Sequence, residues 1–66
     1  MPHPTILRCP AVSARTGLAR STMYKLIAEG QFPTPIRLGP RSVGWLEQEI
    51  DAWIKARIAE SRGADR

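Results

Sequence analysis

The sequence predicts a mainly α-helical domain of three helices and one two-stranded β-hairpin. Apolar residues recur at helical spacing in two long stretches, near residues 20–29 and 46–62. Between these stretches, apolar residues alternate at period two, as they do in β-strands. The chain has 66 residues, of which 42% are hydrophobic. This length leaves room for one domain with a small core.

Glycine and proline mark the ends of the first two helices. We predict a short helix over residues 10–16, because a proline fits the first helical turn and Gly17 suits the left-handed conformation at a helix end. A turn of residues 17–19 leads to a second helix over residues 20–29. Gly30 then ends this second helix. The apolar residues on its inner face are Met23, Leu26 and Ile27.

Two short strands are predicted on either side of a turn at residues 39–42, where a proline presets the backbone. The alternating apolar residues of these strands are Ile36, Leu38, Val43 and Trp45. If they face the core, Arg37 points to the other side of its strand. Arg41 lies at the tip of the turn.

The last predicted helix is the longest and stops at Gly63. Acidic residues fill its first turns and basic residues lie toward its end, as the helix dipole favours. Its apolar stripe comprises Leu46, Ile50, Trp53, Ile54 and Ile58. Residues 1–5 are expected to form a loose lead and residues 63–66 a frayed tail, so that residues 6–62 form the domain.

Positive charge is concentrated in the first two thirds of the chain. The formal net charge is +4, from ten basic and six acidic residues. Residues 1–45 contain six basic residues and one acidic residue, a net charge of +5, whereas residues 46–66 carry −1. This asymmetry indicates a polyanionic partner for the first part of the chain and a supporting role for the last helix.

Composition argues against several other classes of protein. Cys9 is the single cysteine, so no intrachain disulfide forms, and together with His3 it cannot supply the usual zinc ligands. No apolar run is long enough to span a membrane, and the first residues lack a signal-peptide pattern. No nucleophile, base and orienting group fall together. We therefore expect no enzymatic activity, no cofactor or metal, no membrane partner and a cytoplasmic location.

The first two helices have the spacing of a helix-turn-helix, whose second helix enters the major groove of double-stranded DNA. Such a helix needs one apolar face for the core and one polar face for DNA. The polar residues available for DNA contact are Arg20, Ser21, Thr22, Tyr24 and Lys25. Arg37 and Arg41 on the hairpin form a wing that reaches the DNA backbone or minor groove. The alternative for Tyr24 is a core aromatic ring with its hydroxyl at the surface.

Four stretches of this chain resemble the AlpA-type phage regulators, which are grouped with MerR-like winged helix-turn-helix proteins and phage excisionases. They are residues 15–24 (RTGLARSTMY), 30–33 (GQFP), 39–45 (GPRSVGW) and 49–54 (EIDAWI). The resemblance covers roughly residues 7–62. Ala19 departs from it, because the family usually has a serine N-cap there, and Ala11 stands where the family often has an acid.

The resemblance implies a sequence-specific DNA-binding protein of a prophage or integrative element. Such proteins act as transcriptional regulators, as excisionase-type recombination directionality factors, or as both. One module of this size buries too little surface for high specificity, so we expect a homodimer or cooperative assembly on repeated sites. The alternative is a protein-interaction adaptor that docks on a recombinase, such as an integrase, or on RNA polymerase through its mixed-charge last helix.

Overall fold

Three helices and a three-stranded antiparallel sheet make up the protein, which the computed structural model describes over residues 4–64. In chain order the elements are β1 (Ile6–Leu7), α1 (Cys9–Thr16), α2 (Arg20–Ala28), β2 (Ile36–Gly39), β3 (Ser42–Leu46) and α3 (Glu47–Ala64). The three helices and the hairpin are confirmed. The predicted bounds of the first two helices differ from these by one residue.

The strand β1 is an addition that the sequence analysis did not predict. It pairs antiparallel with β3, with Ile6 opposite Leu46 and Leu7 opposite Trp45, so that β3 is the central strand. The amide of the first α3 residue donates a hydrogen bond of 2.8 Å to the carbonyl oxygen of Thr5. Thr5 is therefore tied to the domain rather than part of a loose lead. The predicted looseness of residues 1–3 lies outside the described part of the chain.

Side chains of α1 fix the turn that leads into α2. Gly17 has a φ of 75° and its amide donates to the carbonyl oxygen of Ser13 at 2.8 Å. The Ser13 hydroxyl in turn donates to the carbonyl oxygen of Leu18 at 2.6 Å. The Leu18 amide donates to the hydroxyl oxygen of Thr16 at 3.3 Å. Both backbone polar groups of Leu18 thus bond to hydroxyls of α1, which sets the direction in which α2 starts.

The core takes one buried side chain from every element except β2, and one more from the connector between α2 and β2. The buried residues are Leu7, Val12, Met23, Phe32, Trp45 and Ile50. Trp45 is the largest side chain that is fully buried. Its indole Nε1 donates a hydrogen bond of 2.9 Å to the carbonyl oxygen of Pro33, so the connector is anchored to the central strand.

Pairing within the hairpin reverses the predicted orientation of β2. Arg37 pairs with Val43, which packs against the core, and Ile36 pairs with Gly44. Directly opposed residues lie on the same face of a sheet. Arg37 is therefore on the helix-facing side of the sheet, and the expectation that it points away from the core side was wrong. Ile36 lies on the outer face and is 37% exposed.

A β-bulge causes this reversal. The register shifts between Arg37 and Gly39, because Gly39 pairs with Ser42 and the intervening Leu38 has no partner of its own. A shift of one residue moves every side chain of a strand to the opposite face. Leu38 consequently lies on the outer face and is 46% exposed, although the alternation pattern predicted it in the core.

The second half of α3 extends beyond the core. Ile50 is fully buried and Trp53 and Ile54 pack against the core, but Ile58 is 45% exposed. Ile58, which the sequence analysis placed on the apolar stripe of this helix, is therefore not one of the side chains that pack against the core. The helix also continues through Gly63, where the sequence predicted its end. A glycine costs a helix only about 1 kcal/mol. The predicted fraying of residues 65–66 lies outside the described residues.

A methyl group at Gly44 should destabilise the hairpin. A Cβ built at Gly44 would collide with the side chains of Ile6 and Leu38. We expect Gly44→Ala to lower the free energy of unfolding by about 1–3 kcal/mol, measured by urea titration with tryptophan fluorescence. Gly39→Ala is the matched control, because a Cβ at position 39 would have the Cβ of Ser42 as its nearest neighbour, at an uncrowded distance of 3.9 Å. Equal losses in the two variants would contradict the packing of β1 over the hairpin.

Candidate nucleic-acid interface

The exposed side of α2 carries all five side chains predicted for DNA contact. They are Arg20, Ser21, Thr22, Tyr24 and Lys25. Met23 is fully buried and fixes which side of the helix faces inward. Because successive residues of an α-helix are separated by about 100°, Ser21 and Lys25 lie opposite Met23. Arg20 and Tyr24, four residues apart, share one flank of the exposed side.

Aromatic packing joins this flank of α2 to the sheet. The ring of Tyr24 meets the indole of Trp45 edge to face, with 6.3 Å between ring centroids and 66° between ring planes. The guanidinium of Arg20 lies 5.8 Å from the centroid of the Tyr24 ring. Tyr24 retains 37% of its exposure. Its ring therefore packs on a core side chain, as the alternative predicted, while the residue stays accessible to a ligand.

The two arginines of the hairpin are exposed, Arg37 on β2 and Arg41 in the turn that follows. Arg37 shares its sheet face with Val43 and therefore with Trp45, two residues further along β3. Since Trp45 contacts α2 through Tyr24, this is the face of the hairpin that adjoins α2. We call the five α2 residues predicted for DNA contact, together with Arg37 and Arg41, the α2–wing surface.

Ion pairing separates the cations of the first 45 residues into two groups. Arg15 of α1 reaches α3, where it lies 2.9 Å from Glu47 and 3.5 Å from Asp51. These ion pairs join α1 to α3, and the only indication of them in the sequence is the acidic first turns of the last helix. The other cations form no ion pair within residues 4–64. They are Arg8, Arg20, Lys25, Arg37 and Arg41.

The N-terminus of α2 favours an anion. Its N-cap residue, Ala19, makes no side-chain hydrogen bond, and the first turn contains no acidic residue. The amides of that turn and the positive end of the helix dipole therefore have no compensating side chain. A phosphate oxygen is the type of group that such a terminus binds.

Other kinds of site receive no support from the part of the chain that the structure describes. No group of His, Cys, Asp and Glu side chains in that part is arranged to hold a metal ion. Across the same residues, no helix is both long and apolar enough to cross a bilayer.

The order helix, three-residue turn, helix and hairpin, with unpaired cations on the second helix and the hairpin, defines a winged helix-turn-helix protein. The chain belongs to the AlpA family. The family described as "Prophage CP4-57 regulatory protein (AlpA)" matches it over residues 5–58, which include the three strands, α1, α2 and most of α3.

Two relatives show how far the similarity extends. An uncharacterised protein, ORF88 of Enterobacteria phage P4, is 46% identical over 71 aligned positions that cover 98% of this chain and 81% of the phage protein. The DNA-binding transcriptional activator AlpA of Escherichia coli (strain K12) is 45% identical over 58 positions. That alignment covers 79% of this chain and 83% of the activator.

A capping side chain at position 19 should stabilise the domain. A serine hydroxyl there can accept a hydrogen bond from an amide of the first turn of α2. We expect Ala19→Ser to raise the free energy of unfolding by about 0.5–2 kcal/mol in a urea titration followed by circular dichroism. Ala11→Ser, at an exposed position inside α1, is the control and should bring no gain. A gain in the control but not at Ala19 would contradict the start of α2 described here.

Proposed function

We propose that this protein is a sequence-specific DNA-binding regulator. In this proposal α2 enters the major groove of double-stranded DNA, and the wing lies on the adjacent backbone or minor groove. The residues in contact are Arg20, Ser21, Thr22, Tyr24, Lys25, Arg37 and Arg41. The description of the Escherichia coli relative as a DNA-binding transcriptional activator supports this assignment.

One observation carries the proposal: the contact between Tyr24 and Trp45 turns the flank of α2 that carries Arg20 toward the helix-facing side of the wing. Arg20 on the helix and Arg37 on the wing then face the same junction, and Lys25 adds a cation to the exposed side of α2. Cations without internal partners on a single surface match the charge of a DNA backbone. No catalytic group is required for this role.

The genetic setting we propose is a prophage or another integrative element. Membership of the AlpA family and the similarity to a protein of phage P4 support this origin. The protein would act as a transcriptional regulator, as an excisionase-type recombination directionality factor, or as both. Both roles place it in the cytoplasm, where the DNA of a bacterial host lies.

We also propose that several copies bind together, either as a homodimer or cooperatively on repeated sites. One module of this size offers a small interface. The outer face of the sheet supports contacts between copies, because Ile36 and Leu38 leave apolar surface there. A gel-shift titration should show steeper binding to two adjacent sites than to one. A single 1:1 complex of nanomolar affinity on one half-site would contradict this assembly.

A second candidate is an adaptor that docks on an integrase or on RNA polymerase. Its support is α3, whose second half is exposed, together with a groove lined by residues 30–33 and by Trp53 and Arg57 of α3. Retention of purified integrase by the immobilised protein after nuclease treatment would favour this role. Retention that disappears with the nuclease would show that DNA bridges the two proteins.

Salt dependence tests DNA binding directly. With about five phosphate contacts, the logarithm of the association constant should fall with the logarithm of salt concentration with a slope near −4.5. Fluorescence anisotropy of a labelled duplex at several salt concentrations measures this slope. Arg41→Ala should weaken binding to all sequences alike and reduce the slope by about 0.9. Lys55→Ala, an exposed cation on α3, is the control and should leave the slope unchanged. A flat salt response would exclude DNA as the main partner.

A further inference from the structure

We propose that Arg20 is the residue that determines sequence specificity, that it reads the major-groove edge of a guanine, and that Tyr24 is the positioning residue that holds it. This inference rests on the proposed DNA-binding function. It assigns a separate task to each of two residues that sequence analysis could only place together on one helix.

Trp45, Tyr24 and Arg20 form a series of contacts that runs from the core to the surface. Trp45 is fully buried, and its hydrogen bond to the carbonyl oxygen of Pro33 fixes the indole in its plane. The Tyr24 ring packs against this indole, and the guanidinium of Arg20 lies over the Tyr24 ring. The orientation of Arg20 therefore depends, through one aromatic ring, on a side chain that cannot move without disturbing the core.

Comparison with the other stacked arginine shows what is distinctive about Arg20. Arg57 lies 5.0 Å from the ring centroid of Trp53, but it also meets Glu60 at 3.5 Å. That guanidinium has a carboxylate within its own helix. Arg20 is stacked and has no acidic partner in the described residues, so its donor groups are available to a ligand.

The guanidinium of Arg20, held in place and with its N–H donors free, is complementary to the major-groove edge of a guanine. The group presents its N–H donors in a planar fork, and guanine offers two acceptors, O6 and N7, side by side in the major groove. Arg20 is the first residue of α2, and residues at the start of a recognition helix are the ones that contact base edges. Stacking on Tyr24 limits the rotamers of Arg20 before binding, which lowers the entropy lost when a paired contact forms.

A phosphate is the competing ligand for Arg20. Phosphate contacts set the position of a protein on DNA but carry no sequence information. The two possibilities therefore differ in one measurable quantity, the ratio of affinities for a preferred duplex and an unrelated duplex. The probes are a duplex that the wild-type protein selects from a random library and an unrelated duplex of the same length.

We expect Arg20→Ala to lower this specificity ratio by about 10-fold or more, mostly through loss of affinity for the selected duplex. Lys25→Ala is the matched control. Lys25 is an exposed cation of the same helix, and the structure gives it no aromatic contact. Its removal should weaken binding to both duplexes by the same factor. If Arg20→Ala behaves as this control does, Arg20 binds phosphate and the proposal is wrong.

Two substitutions at Tyr24 separate its ring from its hydroxyl. Tyr24→Phe keeps the ring between Arg20 and Trp45, so its specificity ratio should stay within about 2-fold of wild type. Tyr24→Ala removes the ring and should lower the ratio as far as Arg20→Ala does. If Tyr24→Phe loses as much as Tyr24→Ala, the hydroxyl itself reads DNA and the positioning role is wrong. Circular dichroism checks that each variant is folded, and Tyr24→Leu replaces Tyr24→Ala if the latter is not.

Base analogues identify the atom that Arg20 reads. Replacing guanines of the selected duplex one at a time by 7-deazaguanine removes the N7 acceptor. At one position this should weaken the wild-type protein several-fold and leave Arg20→Ala unaffected. Equal losses for both proteins at every position would overturn the guanine assignment. Failure of the DNA-binding function itself would look different, because the wild-type protein would then select no duplex and show no salt-dependent binding.

Discussion

Burial of the Trp45 indole is the interaction on which the rest of this small structure depends. The residue lies in the central strand, pairs with Leu7 of β1, donates a hydrogen bond to the carbonyl oxygen of Pro33 and packs against Tyr24 of α2. One residue thus joins the first strand, through its backbone, to the connector and the second helix, through its side chain. In a core of six buried residues, every element except β2 contributes a single buried side chain, so a central residue of this size sets the positions of the others.

The ion pairs between α1 and α3 add to this arrangement without using the cations of the α2–wing surface. Arg15 pairs with acids of α3 and so draws α1 toward the last helix, while the other cations of the first 45 residues form no ion pair within residues 4–64. Both ends of the Arg15 pairs are partly exposed, so each contributes less than about 1 kcal/mol. Stability therefore comes from the core, and most of the positive charge remains available for a ligand. If the other cations were also paired with acidic side chains, the chain would still be basic in composition, but the electrostatic field at its surface would be weak.

Local features of this fold follow from the sequence, and features that depend on register do not. The ends of α1 and α2 are predictable because Gly17 and Gly30 take positive φ angles there. The exposure of the five α2 residues of the α2–wing surface is also predictable, since the buried Met23 fixes the helix face. The strand β1 is two residues long, too short for a periodic pattern. The face of β2 depends on one bulged residue, Leu38, and no alternation pattern reports such a shift.

The two halves of the α2–wing surface are held with different rigidity, which suits different tasks. The helix α2 is fixed by the buried Met23 and by the edge-to-face contact of Tyr24 with Trp45. In contrast, β2 contributes no buried side chain and is held mainly by its pairing with β3. Because the edge strand β2 buries no side chain, we expect it to separate from β3 at a lower cost in free energy than α2 leaves the core. Base reading needs donors placed precisely, whereas phosphate contacts tolerate displacement. This construction supports the proposal that the helix reads sequence and the wing contacts the DNA backbone.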